Sequence, residues 1–257
     1  MDILMAGMPA PAFMAALAIA LFAGFVKGTV GFAMPMLLVS GLSSFLPPEI
    51  ALAGLILPTL ATNLWQALRD GPRAAMATTR RYWRFVTATL VFILISAQFA
   101  SAIPQPLFLL MIGVPMTLYA VLQLCGYSLA IKLAHRNRAE WALGILSGLY
   151  GGVSGIWGPP LLVFLMSVSV PKAEMMRVQG VIFLLGSVML LVAHLNSGVM
   201  SGPNFTFSAA LVVPAVLGMA FGLKVGDRLD QNRFRRLTQI LLVLSGLNLI
   251  RRAFQIW

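Results

Sequence analysis

Two stretches of this 257-residue chain repeat each other inside otherwise apolar sequence. Gly24, Gly28, Gly31 and Pro35, followed by Leu37-Leu38-Val39, recur as Gly148, Gly152, Gly155 and Pro159, followed by Leu161-Leu162-Val163. Every matched position is offset by 124 (148 − 24, 152 − 28, 155 − 31, 159 − 35), and Pro47 and Pro171 continue the register. From Gly24 to Val39, seven of sixteen positions are identical to their counterparts. Glycine and proline at this density break a helix. At membrane depth a broken helix survives only where its backbone is shielded by protein or lines a polar cavity. A matched pair of such breaks in the two halves of an apolar chain points to a transporter's binding site.

Composition agrees. The chain is 60% hydrophobic and 10% charged, with mean hydropathy +0.92, whereas a soluble domain carries about 25% charged residues. Apolar segments run near 11–46, 50–68, 84–103, 106–131, 139–170, 175–196, 206–224 and 237–256. The chain therefore reads as an all-α polytopic membrane protein whose partner is the lipid bilayer. The net charge of +11 does not imply nucleic acid, because the basic residues sit in short loops, as the positive-inside rule requires. The single cysteine, Cys125, excludes an internal disulfide framework and reads as a small packed hydrophobe. No Lys or Arg follows Met1 and Asp2 to form a cationic leader, so no cleavable signal is expected.

The first and fifth segments are too long for one crossing: residues 11–46 as a single helix would measure about 54 Å, against about 30 Å of hydrocarbon. With a break near the middle of each, a re-entrant hairpin of two pieces about a dozen residues long is expected. Loop charge sets the sidedness. The loop with Arg69, Arg73, Arg80, Arg81 and Arg84 reads as cytoplasmic, as do those with Lys132, Arg136 and Arg138 and with Lys224, Arg228, Arg233, Arg235 and Arg236. The connections at 101–106 and 195–206 carry no Lys, Arg, Asp or Glu. Under the 124 offset the basic loop at 69–84 falls on the charge-free 193–208, so equivalent loops face opposite sides. The expectation is two inverted repeats after a short segment 1–9. Repeat 1 is 10–133 and repeat 2 is 134–257. Each has one re-entrant hairpin (11–46, 139–170) and three spanning helices, giving six crossings and both termini outside. Arg251 and Arg252 oppose this orientation but are outweighed by three basic loops.

At these residues the chain resembles the TauE/SafE family of sulfite and organosulfonate permeases. The resemblance lies in Phe25-Val26-Lys27-Gly28-Thr29-Val30-Gly31-Phe32 with Pro35, then Asn63. The second half supplies Ser147-Gly148, Tyr150-Gly151-Gly152, Ser154-Gly155 and Trp157-Gly158-Pro159. The resemblance spans essentially the whole chain and implies a bacterial inner-membrane carrier of small sulfur-containing anions built from duplicated halves. Ala33 departs from the pattern, standing where the family often has another glycine, and Gln179 to Gly186 follows none of it.

The polar residues at membrane depth narrow the solute. No Asp or Glu lies inside an expected span; Glu49 and Glu174 mark entrances, and Asp70, Glu140, Asp227 and Asp230 are in or beside loops. Cation carriers usually need midplane carboxylates, so an anion or neutral solute is favoured. Lys27 sits at the first break, where an intramembrane lysine is costly and a functional candidate by default. The second halves of the broken helices begin near Met34 and Gly158 and present positive dipole ends. Gly28, Gly31, Gly151, Gly152, Gly155 and Gly158 let an oxyanion approach the backbone. Thr29 and Ser154 add hydroxyls, Trp157 an indole donor, and Phe32 completes the first tip. Close helix packing by the glycines is the competing account, and a snorkelling Lys27 competes evenly with a binding one. Asn63, five residues after Pro58, reads as lining the site rather than only bridging helices. Arg177 is read as a cytoplasmic anchor before an anion attractor, and His194 as interfacial before a proton carrier.

A secondary permease for a sulfite-like or organosulfonate anion, working by alternating access, is the expected function; an anion channel or a non-transporting scaffold is the alternative. No His/Asp/Glu cluster, metal spacing or nucleophile elbow supports an enzyme, and no cofactor is expected. A homo-oligomer remains open.

Overall fold

The computed structural model describes residues 8–99, 102–127, 135–168, 170, 172–226 and 231–256. Within them the chain is helical: α1 (Ala10–Val30), α2 (Met34–Leu42), α3 (Pro48–Leu68), α4 (Pro72–Arg81), α5 (Trp83–Ala97), α6 (Gln105–Leu124), α7 (Arg136–Ser154), α8 (Gly158–Ser167), α9 (Lys172–Asn196), α10 (Pro203–Gly226) and α11 (Gln231–Ile256). Prolines start many of these helices. Pro11, Pro35, Pro48, Pro72 and Pro106 stand at the first or second helical position, where the missing N–H would lack an intrahelical partner anyway. Among the described residues, five helices are long and apolar enough to cross a membrane: α1, α3, α6, residues Glu174–Asn196 of α9 and Pro203–Val225 of α10. The chain is a multi-pass membrane protein.

Both long segments break where the glycines place the break. In the first, Gly31 (φ 85°) and Ala33 (φ 77°) are left-handed; in the second it is Gly155 (φ 70°). The Gly31 amide donates to the Lys27 carbonyl at 2.7 Å, and the Gly155 amide donates to the Gly151 carbonyl at 2.7 Å. One terminating hydrogen bond thus recurs at the 124 offset. The pieces are unequal, however. α1 has 21 residues and α7 has 19, against 9 in α2 and 10 in α8. In place of the two dozen-residue arms expected of each hairpin, each has one long helix and one short one. The cause is that the glycines at 24, 28, 148 and 152 do not interrupt their helices; they pack them.

That packing is close enough for backbones to touch. A Cβ on Gly24 would lie 2.1 Å from the Ala215 carbonyl oxygen, and one on Gly28 would lie 2.3 Å from that of Met219, so α1 rests on α10. By the same device α7 rests on α5. A Cβ on Gly148 would lie 2.6 Å from the Thr89 carbonyl oxygen, and one on Gly152 would lie 2.1 Å from Ser96 Oγ. Small residues of this kind are how helices associate where lipid removes the hydrophobic drive. Ser96 Oγ also donates to the Gly148 carbonyl at 3.1 Å and Thr89 Oγ1 to that of Gly144 at 3.2 Å.

α3 packs on α9, and α6 on α11. The α3–α9 contacts reverse in order, Asn63 reaching Phe183 and Ser187 while Gln66 reaches Met176, so the two helices run antiparallel. Pro58 lies inside α3, and its missing amide leaves the Gly54 carbonyl without its helical donor. Ser208 of α10 compensates, its hydroxyl accepting from the Leu57 amide at 3.1 Å and donating to the Gly54 carbonyl at 3.5 Å.

Two local expectations change. Cys125 is exposed at the end of α6 rather than packed. His194, in the last turn of α9, is fully buried against protein, its Nε2 3.2 Å from the Gly152 carbonyl oxygen. The basic loop after α3 contains a helix, α4, whose last turn carries Arg80 and Arg81. The Lys132 and Asp227–Asp230 positions lie outside the described residues.

Candidate substrate site

The site is built on the polar stripe of α3. Thr59, Thr62, Asn63 and Gln66 fall at i, i+3, i+4 and i+7, one helix face, and all four are buried. That face looks at both breaks. Lys27, 1% exposed near the end of α1, donates from Nζ to Thr62 Oγ1 at 2.9 Å and also to the Asn63 side-chain oxygen. Asn63 is itself held. Its Nδ2 donates to the Phe183 carbonyl at 3.0 Å and lies 3.4 Å from Ser187 Oγ. Thr62 Oγ1 donates to the Pro58 carbonyl at 2.7 Å. The ammonium therefore has two neutral oxygen partners, and no carboxylate is among them.

Gln66 holds the first tip from the other side, donating from Nε2 to the carbonyls of Gly31 and Met176 at 3.1 Å each. The second tip is fastened internally. Ser147 Oγ donates to the Trp157 carbonyl at 3.0 Å, while Ser154 Oγ accepts from the Ile156 amide at 3.1 Å and donates to the Tyr150 carbonyl at 2.7 Å.

Between the tips lies a cavity of about 20 Å³, where one water takes about 10–15 Å³. Lys27, Thr59 and Asn63 supply its polar wall; Phe32, Met36, Ile156, Trp157 and Phe183 supply the apolar one, with Ala33, Pro35, Gly155 and Gly158 between them. The Thr59 hydroxyl is buried and has no hydrogen-bond partner. Of the helix-start amides expected to face an anion, several do not exist: Pro35 in α2 and Pro159 and Pro160 in α8 carry no N–H. Met34, Met36 and Gly158 retain theirs in the first turns.

Of the twelve residues singled out in the sequence, Lys27, Phe32, Asn63, Gly155, Trp157 and Gly158 line this cavity. The other six do not. Gly28 and Gly152 pack α1 and α7 against neighbouring helices, and Gly31 faces Gln179 and Met176. Thr29 spends its hydroxyl on the Val26 carbonyl at 2.7 Å and Ser154 on the tip backbone. Gly151 lies under the Trp157 ring, a Cβ there falling 2.8 Å from Cε3. Sequence reading missed Thr59, Thr62, Gln66 and Phe183. The first three were available as a polar stripe at helical spacing around Asn63; Phe183 carries no local signal, since only the α3–α9 contact brings it in.

The two halves fill the site differently. Where the first half has Lys27, Thr62 and Ala33, the second has Gly151, Gly186 and Trp157 at the 124 offset. The Trp157 ring fills the room those two glycines leave, since a Cβ on Gly186 would meet it at 3.1 Å. One half thus presents a cation, the other a flat aromatic wall.

Membrane-length helices around a small cavity lined by the buried Lys27 are the frame of a polytopic membrane transporter. The chain belongs to the TauE/SafE family of sulfite exporters, whose family model matches residues 16–249. Membership makes it a transporter of the sulfur-anion class and not an enzyme. No curated protein and no solved structure gives a significant match.

Proposed function

We propose that the protein is a secondary carrier in the bacterial inner membrane that moves a small sulfur oxyanion, or a short sulfonate, through the cavity between the two broken helices. The observation that carries this reading is Lys27, a buried ammonium with neutral hydrogen-bond partners, in the wall of that cavity. An unneutralised cation at membrane depth is costly, and an arriving anion supplies the lacking charge. Lys27, Thr59 and Asn63 are its polar contacts, with the first-turn amides of Met34, Met36 and Gly158. Phe32, Trp157 and Phe183 exclude water.

The halves are read as inverted repeats, 10–133 and 134–257. Support comes from the antiparallel contact of α3 with its equivalent α9 and from the recurring pairings α1 on α10 and α7 on α5. A cavity with room for about one water is a closed state, so the anion enters when the tips part. Inverted repeats make alternating access the natural mechanism.

The test is uptake into proteoliposomes of sulfite, sulfate, thiosulfate, taurine and sulfoacetate, with and without a pH gradient. Lys27→Ala and Gly155→Leu should each abolish transport of the anion that the unmodified protein carries. If both variants move every tested anion at the unmodified rate, the site is elsewhere. A flux far above carrier turnover would favour the channel reading.

A further inference from the structure

Lys27 lines a second cavity as well, larger at about 260 Å³. Its polar wall comes from Gln66, Arg69 and Asp70, at the end of α3 and the turn after it, and from Arg177 in α9; Met219 and Leu223 of α10 close its apolar side. Three cations thus face it against one carboxylate. That carboxylate pairs with only one of them. Arg177 Nη1 forms an ion pair with Asp70 Oδ2 at 3.5 Å, longer than the 2.7–2.9 Å of a charge-assisted hydrogen bond, and Arg177 Nε is buried with no hydrogen-bond partner. A guanidinium with a buried, unused N–H suits an oxyanion acceptor. The residues also sit on the arginine-rich side of the chain, where loop charge places the cytoplasm.

We propose that this second cavity is a vestibule that binds the oxyanion in transit, a site distinct from the central cavity but sharing Lys27 with it. Arg177 and Arg69 hold the anion there. Asp70 competes with it for Arg177 and keeps the vestibule from binding too tightly to release. Lys27 stands in the wall common to both cavities, and displacement of its bonds to Thr62 and Asn63 passes the anion from one to the other. The proposal rests on reading the central cavity as an anion site.

Trp65 lines the vestibule and Trp157 the central cavity, so fluorescence separates the two sites. In purified protein, quenching of Trp65 by iodide is compared with quenching by neutral acrylamide, its signal taken as the difference from Trp65→Phe. The iodide-to-acrylamide ratio should fall several-fold in Arg69→Gln/Arg177→Gln and rise in Asp70→Asn, and sulfite, sulfate or thiosulfate should displace iodide. An unchanged ratio in all variants, or no displacement by any of the three oxyanions, overturns the vestibule. In vesicles of known orientation, Arg177→Gln should raise the half-saturating sulfite concentration several-fold from one face only; an equal rise from both faces, or none, also overturns it. Failure of the central site is a different result: Lys27→Met transports normally while the Trp65 response persists.

Discussion

Asn63 and Ser187 stand 124 residues apart in sequence and 3.4 Å apart in space, Asn63 Nδ2 to Ser187 Oγ. They are the same position under the 124-residue offset of the sequence repeat. The sequence differs at this very point, with an amide on one side and a hydroxyl on the other. Only the amide reaches Lys27.

Asn63→Asp should leave a folded, membrane-inserted protein and reduce anion transport by at least tenfold. The carboxylate would pair with Lys27 and remove the charge an anion needs, while nearly preserving shape. Size-exclusion of solubilised protein checks folding, and sulfite flux checks activity. Transport at the unmodified rate would show that the Lys27 charge is not what the substrate meets.

Thr59→Val separates binding from stability. The Thr59 hydroxyl is buried without a partner, and leaving such a group unsatisfied costs about 1–3 kcal/mol. Its removal should leave thermal stability unchanged or higher, yet raise the half-saturating anion concentration. A fall in melting temperature with unaltered affinity would give the hydroxyl a purely structural role.

Gly151→Ala should drive Trp157 out of place, because the added Cβ would lie 2.8 Å from its Cε3 and 3.0 Å from its Cβ. Overpacking of this kind typically costs about 1–3 kcal/mol. Thermal unfolding should register that loss, and the changed Trp157 environment should appear as a shift in emission absent from the same substitution in Trp157→Phe.

Ala33→Gly should stabilise the first break. Ala33 is the one non-glycine residue with positive φ among the described residues, and a left-handed conformation costs an L-residue about 1–2 kcal/mol. Part of that gain is lost to the greater freedom of glycine in the unfolded chain, so a net rise of under about 1 kcal/mol is expected in thermal unfolding.

The proposed orientation is tested with thiols. Cys125 is exposed after α6 and should react with a membrane-impermeant maleimide only from the cytoplasmic side. In a background lacking Cys125, Ser201→Cys, at an exposed position between α9 and α10, should react only from outside. Labelling of both from one side would exclude the inverted topology.

Sequence alone carried the breaks, because glycine and proline act locally: Met34 and Gly158 begin α2 and α8 as the motif implies. It carried Lys27 and Asn63 too, since polar residues stand out against apolar sequence. It did not divide the glycines by role. A glycine at a tip and a glycine under a neighbouring helix look alike in sequence, and Gly31 differs from Gly28 only in what the fold brings beside it.

Apolar segment length, the repeated motif and loop charge by themselves pointed to an all-helical membrane protein with a duplicated sequence, because hydrocarbon forbids unpaired backbone and charge resists crossing it. The tertiary structure decided the site. It set the Asn63 amide on Lys27 and laid Trp157 over Gly151 and Gly186. It also placed Gly31 beside Gln179 and Met176 while Gly155 faces their counterparts Leu55 and Leu52 (179 − 55 = 124, 176 − 52 = 124). Contacts between residues more than a hundred positions apart depend on how helices cross, which no local preference encodes. Packing brings equivalent positions to the two tips, and the different residues standing there make one polar and the other apolar.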